Sequence, residues 1–352
     1  MAERFVLVLA GGLGERFWPW SRPDRPKQLL PLARGGRSLL ASTLERALVL
    51  APPERVVVMT ARRLTAAVGR ECGGSGVRVL GEPVARNTAA AIGAAAVLFE
   101  GEARGASFAV LPADHAIDDT AAFGADLGRA YDVAEREAVL ITFGIRPRAP
   151  ETGFGYIRRG APLAERLSRV ARFTEKPDRE LAEQWLTSGE YLWNAGIFVW
   201  GCATFMAALE ASRPALAGPL GNLSWTGSDE GFERQLEQVF PSLESISVDY
   251  AVLEHAPNVL VLEASFDWDD LGSWSAWARR QPHDERGNVL FGDAFALDCE
   301  RCVVVGDGGT AAAMGLRDMV VVHADGATLT CRISDSDQVR RVSEAVRARG
   351  TP

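Results

Sequence analysis

Solid apolar runs alternate with helical stretches along the first half of the chain. The apolar runs have the length of β-strands and occupy residues 4–12, 54–60, 107–114 and 138–145. The stretches between them have helical character and occupy residues 38–50, 87–101 and 121–137. An apolar run without alternation is typical of a strand buried on both faces, as in a parallel sheet between layers of helices. The pattern therefore predicts an α/β domain with a mostly parallel sheet covered by helices.

The pattern changes towards the C-terminus. Residues 150–270 mix strands and helices that elaborate the same domain. After Arg280, short β-like runs separated by Gly and Asp follow one another, and a polar helical stretch closes the chain. We therefore predict a larger domain over residues 1–280 and a small β-rich domain over residues 281–352 that ends in a helix.

Three residues mark the edge of the predicted sheet where a ligand is expected. Ligands of parallel sheets bind at the carboxyl ends of the strands. Gly11, Asp114 and Gly144 are each expected to lie just past the end of a strand. We therefore place the predicted site at this edge.

Composition and charge narrow the class of partner. The chain has 352 residues, of which 47% are hydrophobic and 24% charged, as is usual for a globular protein. A net charge of −8 argues against nucleic acid as a partner, and no apolar run has the length of a membrane span. Five cysteines are a sparse, odd set that fits a reducing compartment, so we expect a cytoplasmic protein.

Basic residues concentrate in one segment near the N-terminus. From Glu15 to Arg37 the chain has six basic residues against two acidic ones. Among 38 basic side chains in the whole sequence, only Lys27 and Lys176 are lysines. A local cationic patch on an acidic protein fits a small anionic ligand, and a lysine kept in an arginine-rich chain indicates a need for a compact point charge.

The basic segment opens on a glycine-rich turn. The spacing of Gly11, Gly12 and Gly14 matches neither the dinucleotide pattern nor the P-loop. A glycine loop after a strand still suits close approach of the backbone to phosphate, although a plain glycine turn with surface arginines is the alternative. Four prolines follow in FWPWSRPDRPKQLLPL, so we predict a stiff loop that holds its basic side chains in place.

The cysteines near the C-terminus offer a second, weaker motif. Cys299 and Cys302 form a C-x-x-C, with His323 and Cys331 further along. A zinc site from these four residues is conceivable. A second closely spaced ligand pair is missing, so ordinary packed thiols are the preferred interpretation.

Ordered motifs across the chain resemble one enzyme family. The segment LAGGLGERFWPWSRPDRPKQLLPL resembles the signature of the sugar-nucleotide pyrophosphorylases, and its W-P-x-S-R and P-K-Q elements resemble the mannose-1-phosphate guanylyltransferases. The resemblance covers residues 1–280 and continues in order through GEPVARNTAAAI, VLPADHAI, ETGFGYI, FTEKP, WNAGIF, SVDYAVLE and DWDDLGSW. It implies a Rossmann-like nucleotidyltransferase domain, a small left-handed β-helix-like domain and a homodimer.

The resemblance implies a reaction of GTP with α-D-mannose 1-phosphate that yields GDP-mannose and diphosphate. The sugar phosphate attacks the α-phosphate in line without a covalent enzyme intermediate, so positioning and charge neutralisation carry the catalysis. The implied cofactor is Mg²⁺, which prefers carboxylate oxygens and is assigned to Asp114 and Asp270. A helix N-cap is the alternative role for Asp114.

The resemblance also assigns the phosphate contacts. Arg16 and Lys27 match the positions that contact the leaving diphosphate, and Arg22 is a helper. Lys176 in FTEKP is implied to contact the phosphate of mannose 1-phosphate.

For the sugar, the resemblance implies two kinds of residue. Polar side chains that can bond hydroxyl groups are Glu175, Asn194 and Asp249, and glycines that leave room for the ring are Gly153 and Gly155. Because Glu175 and Lys176 are neighbours, they face the same ligand only if the strand ends or bulges there, as Pro177 indicates.

For the base, the block GEPVARNTAAAI supplies the candidates. They are Glu82, Arg86, Asn87 and Thr88, in addition to the glycines of the first loop. Asn87 can cap the following helix and also bond a base edge. Guanine offers N1–H and N2–H, which a carboxylate or a carbonyl should accept, and the sequence leaves open which group does so.

Three alternatives have a different substrate or class. The first is a nucleotidyltransferase that uses another sugar 1-phosphate, such as glucose 1-phosphate, or another nucleoside triphosphate. The second is a glycosyltransferase with a D-x-D metal motif, which DWD at 267–269 would match. The third is a non-catalytic regulatory homologue that binds GDP-mannose, but the charged candidates are all present. Family members are often fused to a phosphomannose isomerase, for which the segment after residue 280 is too short, so one activity is expected.

Overall fold

The structure of the chain is a computed structural model that describes residues 2–12 and 14–349. Its contacts divide it into two compact units. The first comprises Met1–Gly11, Thr43–Ala113 and Ile117–Trp268; the second comprises Gly12–Ser42, Asp114–Ala116 and Asp269–Pro352. The basic segment and Asp114 thus belong to the same unit as the C-terminal strands. The sequence-based division into residues 1–280 and 281–352 stays a prediction.

One sheet organises the described part of the first unit. Its strand order is β3-β2-β1-β4-β8-β5-β9-β7-β6. The strands are β1 (Arg4–Leu9), β2 (Val56–Ala61), β3 (Arg78–Glu82), β4 (Ser107–Pro112), β5 (Leu140–Ile145), β6 (Tyr156–Ala164), β7 (Leu167–Thr174), β8 (Tyr191–Gly201) and β9 (Val259–Glu263). Strands β3, β2, β1 and β4 pair in parallel, as do β5 and β9, whereas β8 is antiparallel to both β4 and β5. The predicted α/β class is confirmed.

Helices connect and cover these strands. They are α1 (Leu39–Leu50), α2 (Thr65–Cys72), α3 (Asn87–Glu102), α4 (Thr120–Ala134), α5 (Arg179–Ser188), α6 (Cys202–Ser212), α7 (Pro214–Gly221) and α8 (Asp229–Val239). Helix α3 is alanine-rich because neighbouring helices approach it closely: a Cβ on Gly93 would lie 2.7 Å from Leu220 Cδ1. Within the described residues, no helix is both long and apolar enough to cross a membrane.

Four strands form the sheet of the second unit. In order they are β10 (Val289–Leu297), β11 (Val303–Met314), β12 (Met319–Ala324) and β13 (Ala327–Arg332), and the unit also contains helices α9 (Trp274–Ala278) and α10 (Val339–Ala348). β10, β11 and β12 pair in parallel and β13 returns antiparallel. Parallel pairing of successive short strands is the arrangement of a β-helix, so the predicted β-rich C-terminal domain that ends in a helix is confirmed.

An aromatic core fixes the basic segment inside the second unit. Trp20 stacks on Trp274 with ring centroids 5.8 Å apart, and Phe17 packs against Trp274 at 4.9 Å. Trp277 and Phe291 close the cluster around Trp20. These rings bury a large apolar area, so the proline-rich loop is held as firmly as a core element.

One predicted edge residue is misplaced by the sequence pattern. Gly144 lies inside β5, paired with Asn194 and Glu263, and not past the end of the strand. A Cβ there would lie 2.5 Å from Leu192 Cδ1, so this glycine serves the packing of β8 against β5.

Two phenylalanines test where the core lies. Phe99 is fully buried and stacks on Phe5, whereas Phe295 is 62% exposed. We expect Phe99→Ala to lower the free energy of unfolding by about 3–5 kcal/mol, because it leaves a cavity. The matched control Phe295→Ala should change it by less than about 0.5 kcal/mol. Urea titration followed by circular dichroism measures both, and equal losses would contradict this assignment of the core.

Candidate active site

A cavity of about 460 Å³ in the second unit collects most of the predicted phosphate and metal residues. Gly14, Arg16, Lys27, Asp114 and Asp270 all line it. They come from three stretches that are far apart in the sequence. The structure thus brings together both predicted diphosphate contacts and both predicted metal ligands.

Lys27 is the buried centre of this cavity. Its side chain is only 8% exposed, and its Nζ donates to Asp114 Oδ2 at 3.0 Å and to the backbone carbonyl of Asp270. Gly14 makes this packing possible: its φ is +63°, and a Cβ there would lie 2.1 Å from Lys27 Cβ. Any other residue at position 14 would displace the lysine, which explains the glycine.

The two carboxylates of the cavity differ in pKa. Burial is the largest influence on Asp114 and raises its pKa, but Lys27 and His115 outweigh it together, so the pKa is lowered. Burial raises the pKa of Asp270, and Lys27 offsets this only in part because Asp269 and Asp114 repel the second charge. Two mutually repelling carboxylates beside one cavity suit a divalent cation. Within residues 2–12 and 14–349, no group of three or more acidic, His or Cys side chains is arranged around a metal position.

Arg16 lies beside Asp270, and a glycine again provides the space. Arg16 Nη1 donates to the carbonyl of Gly272 at 3.3 Å. A Cβ on Gly272 would lie 2.9 Å from Asp270 Oδ2 and 3.1 Å from Arg16 Nη1. Arg16, the predicted diphosphate contact, and Asp270, the predicted metal ligand, are therefore neighbours in the lining of the cavity.

Arg22 does not line this cavity, and its helper role stays a prediction. Its guanidinium pairs with Asp325 and lies 3.5 Å from Asp24. Its backbone closes a small turn with Arg25. Arg22 thus fastens the loop to the C-terminal strands and does not line the phosphate cavity.

The predicted sugar residues converge in the first unit. Strand β7 ends at Thr174, and Lys176 has a φ of +46°, so the chain turns where Glu175 and Lys176 would otherwise face opposite sides. Lys176 Nζ lies 2.5 Å from Glu175 Oε1. A Cβ on Gly155 would lie 2.4 Å from Glu175 Oε2, so a larger residue there would displace the end of the Glu175 side chain. A Cβ on Gly153 would meet nothing within 4 Å, so packing does not explain that glycine.

A hydrogen-bonded chain extends this cluster. Thr142 Oγ1 donates to Asn194 Oδ1 at 2.8 Å, and Asn194 Nδ2 donates to Asp249 Oδ1 at 2.9 Å. Burial raises the pKa of Asp249 to about 7, and the nearby charge of Glu175 adds to the rise. The amide of Asn194 is thereby held in one orientation between the two groups.

Glu82 stands out among the candidates for the base. It ends β3, is only 9% exposed, and within the described residues its carboxylate has no hydrogen-bond partner. Burial raises its pKa to about 7. A Cβ on Gly11 would lie 3.6 Å from Glu82 Oε1, so the glycine loop runs next to this carboxylate. Because no group of the described chain donates to it, this carboxylate is available to accept a hydrogen bond from a ligand.

The other base candidates are partly used by the fold. Arg86, which precedes α3, donates to the carbonyls of Phe240 and Pro241. Thr88 Oγ1 accepts from the Val248 N–H at 2.9 Å. Asn87 is not the residue before the helix but its first residue, with φ +63°, and its Oδ1 accepts the Thr88 N–H.

The cysteine motif packs as apolar side chains. Cys299 and Cys302 are buried in a small apolar cluster of the second unit, and burial raises the pKa of the Cys302 thiol. His323 Nδ1 lies 2.9 Å from Thr328 Oγ1, and Cys331 packs against a different cluster. All five cysteines of the chain are free thiols.

Comparisons with known proteins match the chain to two family models, one after the other along the sequence. A nucleotidyl transferase family model matches residues 5–287, and a MannoseP isomerase/GMP-like β-helix domain model matches residues 292–347. A mannose-1-phosphate guanylyltransferase of Klebsiella pneumoniae is 38% identical over 346 residues, covering 96% of this chain and 73% of that protein. The xanthan biosynthesis protein XanB of Xanthomonas campestris is 38% identical over 349 residues, covering 98% and 73%.

A solved structure shares the whole architecture. A protein of Thermus thermophilus described as a mannose-1-phosphate geranyltransferase superposes with a TM-score of 0.87 at 37% identity. The match covers 98% of this chain and 99% of that one. Both the nucleotidyltransferase fold and the C-terminal β-rich domain are therefore shared.

Asp249 predicts a pH dependence of stability. Its ordinary pKa of 3.8 rises to about 7 in the folded chain, so folding becomes less favourable as pH rises from about 4 to 7. Asp249→Asn removes this cost. Between about pH 4 and pH 7, we expect the free energy of unfolding of the variant to rise by roughly 2–4 kcal/mol relative to wild type. Urea unfolding at several pH values measures this difference. Asp337→Asn, at an exposed aspartate, is the control. If the difference in free energy of unfolding between Asp249→Asn and wild type does not change with pH, the raised pKa of Asp249 is contradicted.

Proposed function

This chain belongs to the nucleotidyl transferase family, and we propose that it is a mannose-1-phosphate guanylyltransferase that acts in the cytoplasm as a homodimer. It would transfer GMP from GTP to α-D-mannose 1-phosphate, yielding GDP-mannose and diphosphate. The observation that carries the proposal is the convergence of Gly14, Arg16, Lys27, Asp114 and Asp270 on one cavity. The names of its relatives and the free thiols support the choice of substrate and compartment.

The phosphate cavity would serve the leaving group. Arg16 and Lys27 would bind the diphosphate and stabilise the charge that develops on it when the bond to the α-phosphate breaks. Lys27 is already fixed by two acceptors, so it needs no reorganisation during the reaction. Because phosphoryl and nucleotidyl transfer require little covalent work from the protein, such prepositioned charge is a sufficient source of catalysis.

The same cavity would hold the metal. Enzymes of this family generally use a divalent metal, and we propose Mg²⁺ with Asp114 and Asp270 as its protein ligands. Their mutual repulsion fits a cation between them. When bound, the ion would neutralise phosphate charge and orient the oxygens for in-line attack.

The cluster in the first unit would bind the acceptor. Glu175, Asn194 and Asp249 offer carboxylate and amide groups to sugar hydroxyls, with Gly155 leaving room beside them. Lys176 would bind the phosphate of the sugar. Although Glu175 pairs with it, Lys176 is 58% exposed and available to a ligand.

Glu82 would select guanine. Its two carboxylate oxygens can accept from N1–H and N2–H of guanine. Uracil, thymine, adenine and cytosine do not present such a pair of neighbouring donors on one edge. The buried position makes the selection strong, because a base without these donors leaves the carboxylate unsatisfied.

The decisive assay is a substrate matrix. Diphosphate release is measured with Mg²⁺ for GTP, ATP, UTP, CTP and dTTP, each against mannose 1-phosphate and glucose 1-phosphate. GTP with mannose 1-phosphate should give the highest kcat/KM. Turnover of another pair alone would replace the proposed substrates, and absence of turnover with every pair would favour a non-catalytic binding protein.

Glu82→Gln tests the choice of base. The amide keeps one acceptor and presents a donor to the other guanine donor, so kcat/KM for GTP should fall by about 100-fold. The ratio of GTP to UTP turnover should fall with it. Glu137→Gln, at an exposed carboxylate, is the matched control. An unchanged nucleotide ratio would remove Glu82 from the base site.

Lys27→Arg tests the need for a point charge. A planar guanidinium cannot take the place of the compact Nζ, which bonds both Asp114 Oδ2 and the Asp270 carbonyl, without moving these acceptors, so kcat/KM should fall by at least about 100-fold. Lys176→Arg changes a more exposed lysine, so its kcat/KM should fall by a smaller factor. Circular dichroism verifies folding of both variants, and near wild-type turnover of Lys27→Arg would show that charge alone is enough.

A further inference from the structure

The C-terminal helix contributes charge to the phosphate loop. Arg340 and Arg347 are two turns apart on α10 and therefore face the same side. Both form ion pairs with the carboxylate of Glu15, which directly precedes Arg16: Arg340 Nε lies 3.2 Å from Oε2, and Arg347 Nη2 donates a hydrogen bond to Oε1. Only 18% of the Glu15 side chain is exposed, so this carboxylate is held between the two arginines.

Arg340 differs from Arg347 in that it lines the phosphate cavity itself. Its Nε is engaged with Glu15 and, at 2.9 Å, with Glu344. Its two Nη groups donate no hydrogen bond within the described part of the chain, and the side chain is 64% exposed. A guanidinium fixed at Nε with both Nη groups free is a fork that can bind a phosphate in bidentate fashion.

The charges that line the cavity favour a binding role for this residue. Without Arg340, the lining holds the carboxylates of Glu15, Asp114 and Asp270 and the cations Arg16 and Lys27. Arg347, which bonds Glu15 from outside the lining, offsets the excess negative charge. Arg340 adds a positive charge that a polyphosphate would meet in the cavity itself.

We propose that Arg340 binds the phosphates of the nucleotide that leave as diphosphate, and that Glu15, held by Arg347, positions it. The proposal rests on the proposed function, because it assigns the ligand of the same cavity. It makes the C-terminal helix a part of the phosphate site. Arg340 is then a substrate-binding residue, whereas Glu15 and Arg347 are positioning residues.

Binding of inorganic diphosphate tests the proposal without requiring turnover. Isothermal titration with Mg²⁺ present compares the full-length wild type with Arg340→Gln, Arg347→Gln and Arg341→Gln. Arg341, on the same helix, bonds Gln338 and does not line the cavity, so it is the matched control. We expect the Kd for diphosphate to rise at least about 10-fold in Arg340→Gln, about 2–3-fold in Arg347→Gln, and not at all in Arg341→Gln.

An equal loss of diphosphate affinity in Arg340→Gln and Arg347→Gln would overturn the proposal. Both arginines pair with Glu15, so two purely structural roles would lower the affinity by the same factor. Wild-type affinity in Arg340→Gln, or no diphosphate binding by the wild type, would also overturn it. If Arg340→Gln fails to fold, Arg340→Lys keeps the charge without the fork. An intermediate Kd then supports bidentate binding, and a wild-type Kd refutes it.

A kinetic comparison separates this proposal from the proposed substrates. In the turnover assay, Arg340→Gln should raise KM for the nucleotide at least about 10-fold and leave KM for the sugar phosphate unchanged. Failure of GTP or mannose 1-phosphate as substrates would leave the diphosphate titration valid. A rise in KM for the sugar phosphate alone would refute the assignment of Arg340 to the leaving phosphates.

Discussion

The phosphate cavity depends on one buried ammonium group. Lys27 is enclosed by Gly14 and donates to acceptors on Asp114 and Asp270, residues that lie 87 and 243 positions away along the chain. A buried charge is tolerated only if it is paired, and loss of one partner costs about 3–5 kcal/mol. This requirement fixes the glycine loop, the turn after β4 and the segment before α9 relative to one another. Arg16 and both carboxylates are thereby held around one cavity, as the proposed binding of a polyphosphate and its metal requires.

Packing supports this charge network. Phe17 and Trp20, which flank the cavity residues of the loop, pack on Trp274, which follows Asp270. Trp20 Nε1 and Arg25 Nη1 both donate to Asp307 of β11, at 2.7 and 2.5 Å. The C-terminal strands thus stabilise the loop that carries Arg16 and Lys27. Helix α10 contacts the same loop through Glu15, so the C-terminal strands and helix both support the proposed phosphate site.

Much of the fold could be predicted from the sequence because its signals are local. The strand–helix alternation, the glycine turn, the stiff loop and the C-terminal β-rich domain all follow from periodicity and turn residues within a few positions. Short strands such as β3 and β9 escaped this pattern, since five residues carry little periodicity. Asn87 and Gly144 lie inside elements whose bounds near them match the pattern, and their roles depend on backbone conformation and packing, which the pattern does not encode.

The sequence by itself determined which side chains are available for chemistry: two lysines in an arginine-rich chain, glycines at crowded positions, and aspartates after strands. Only the tertiary structure decided how they are used. Arg22 pairs with Asp325, Thr88 with the backbone of Val248, and Glu15 with Arg340 and Arg347. Glu82, by contrast, is buried without a partner in the described chain. These outcomes depend on contacts between residues more than a hundred positions apart, or on the lack of such contacts, and no local pattern encodes them.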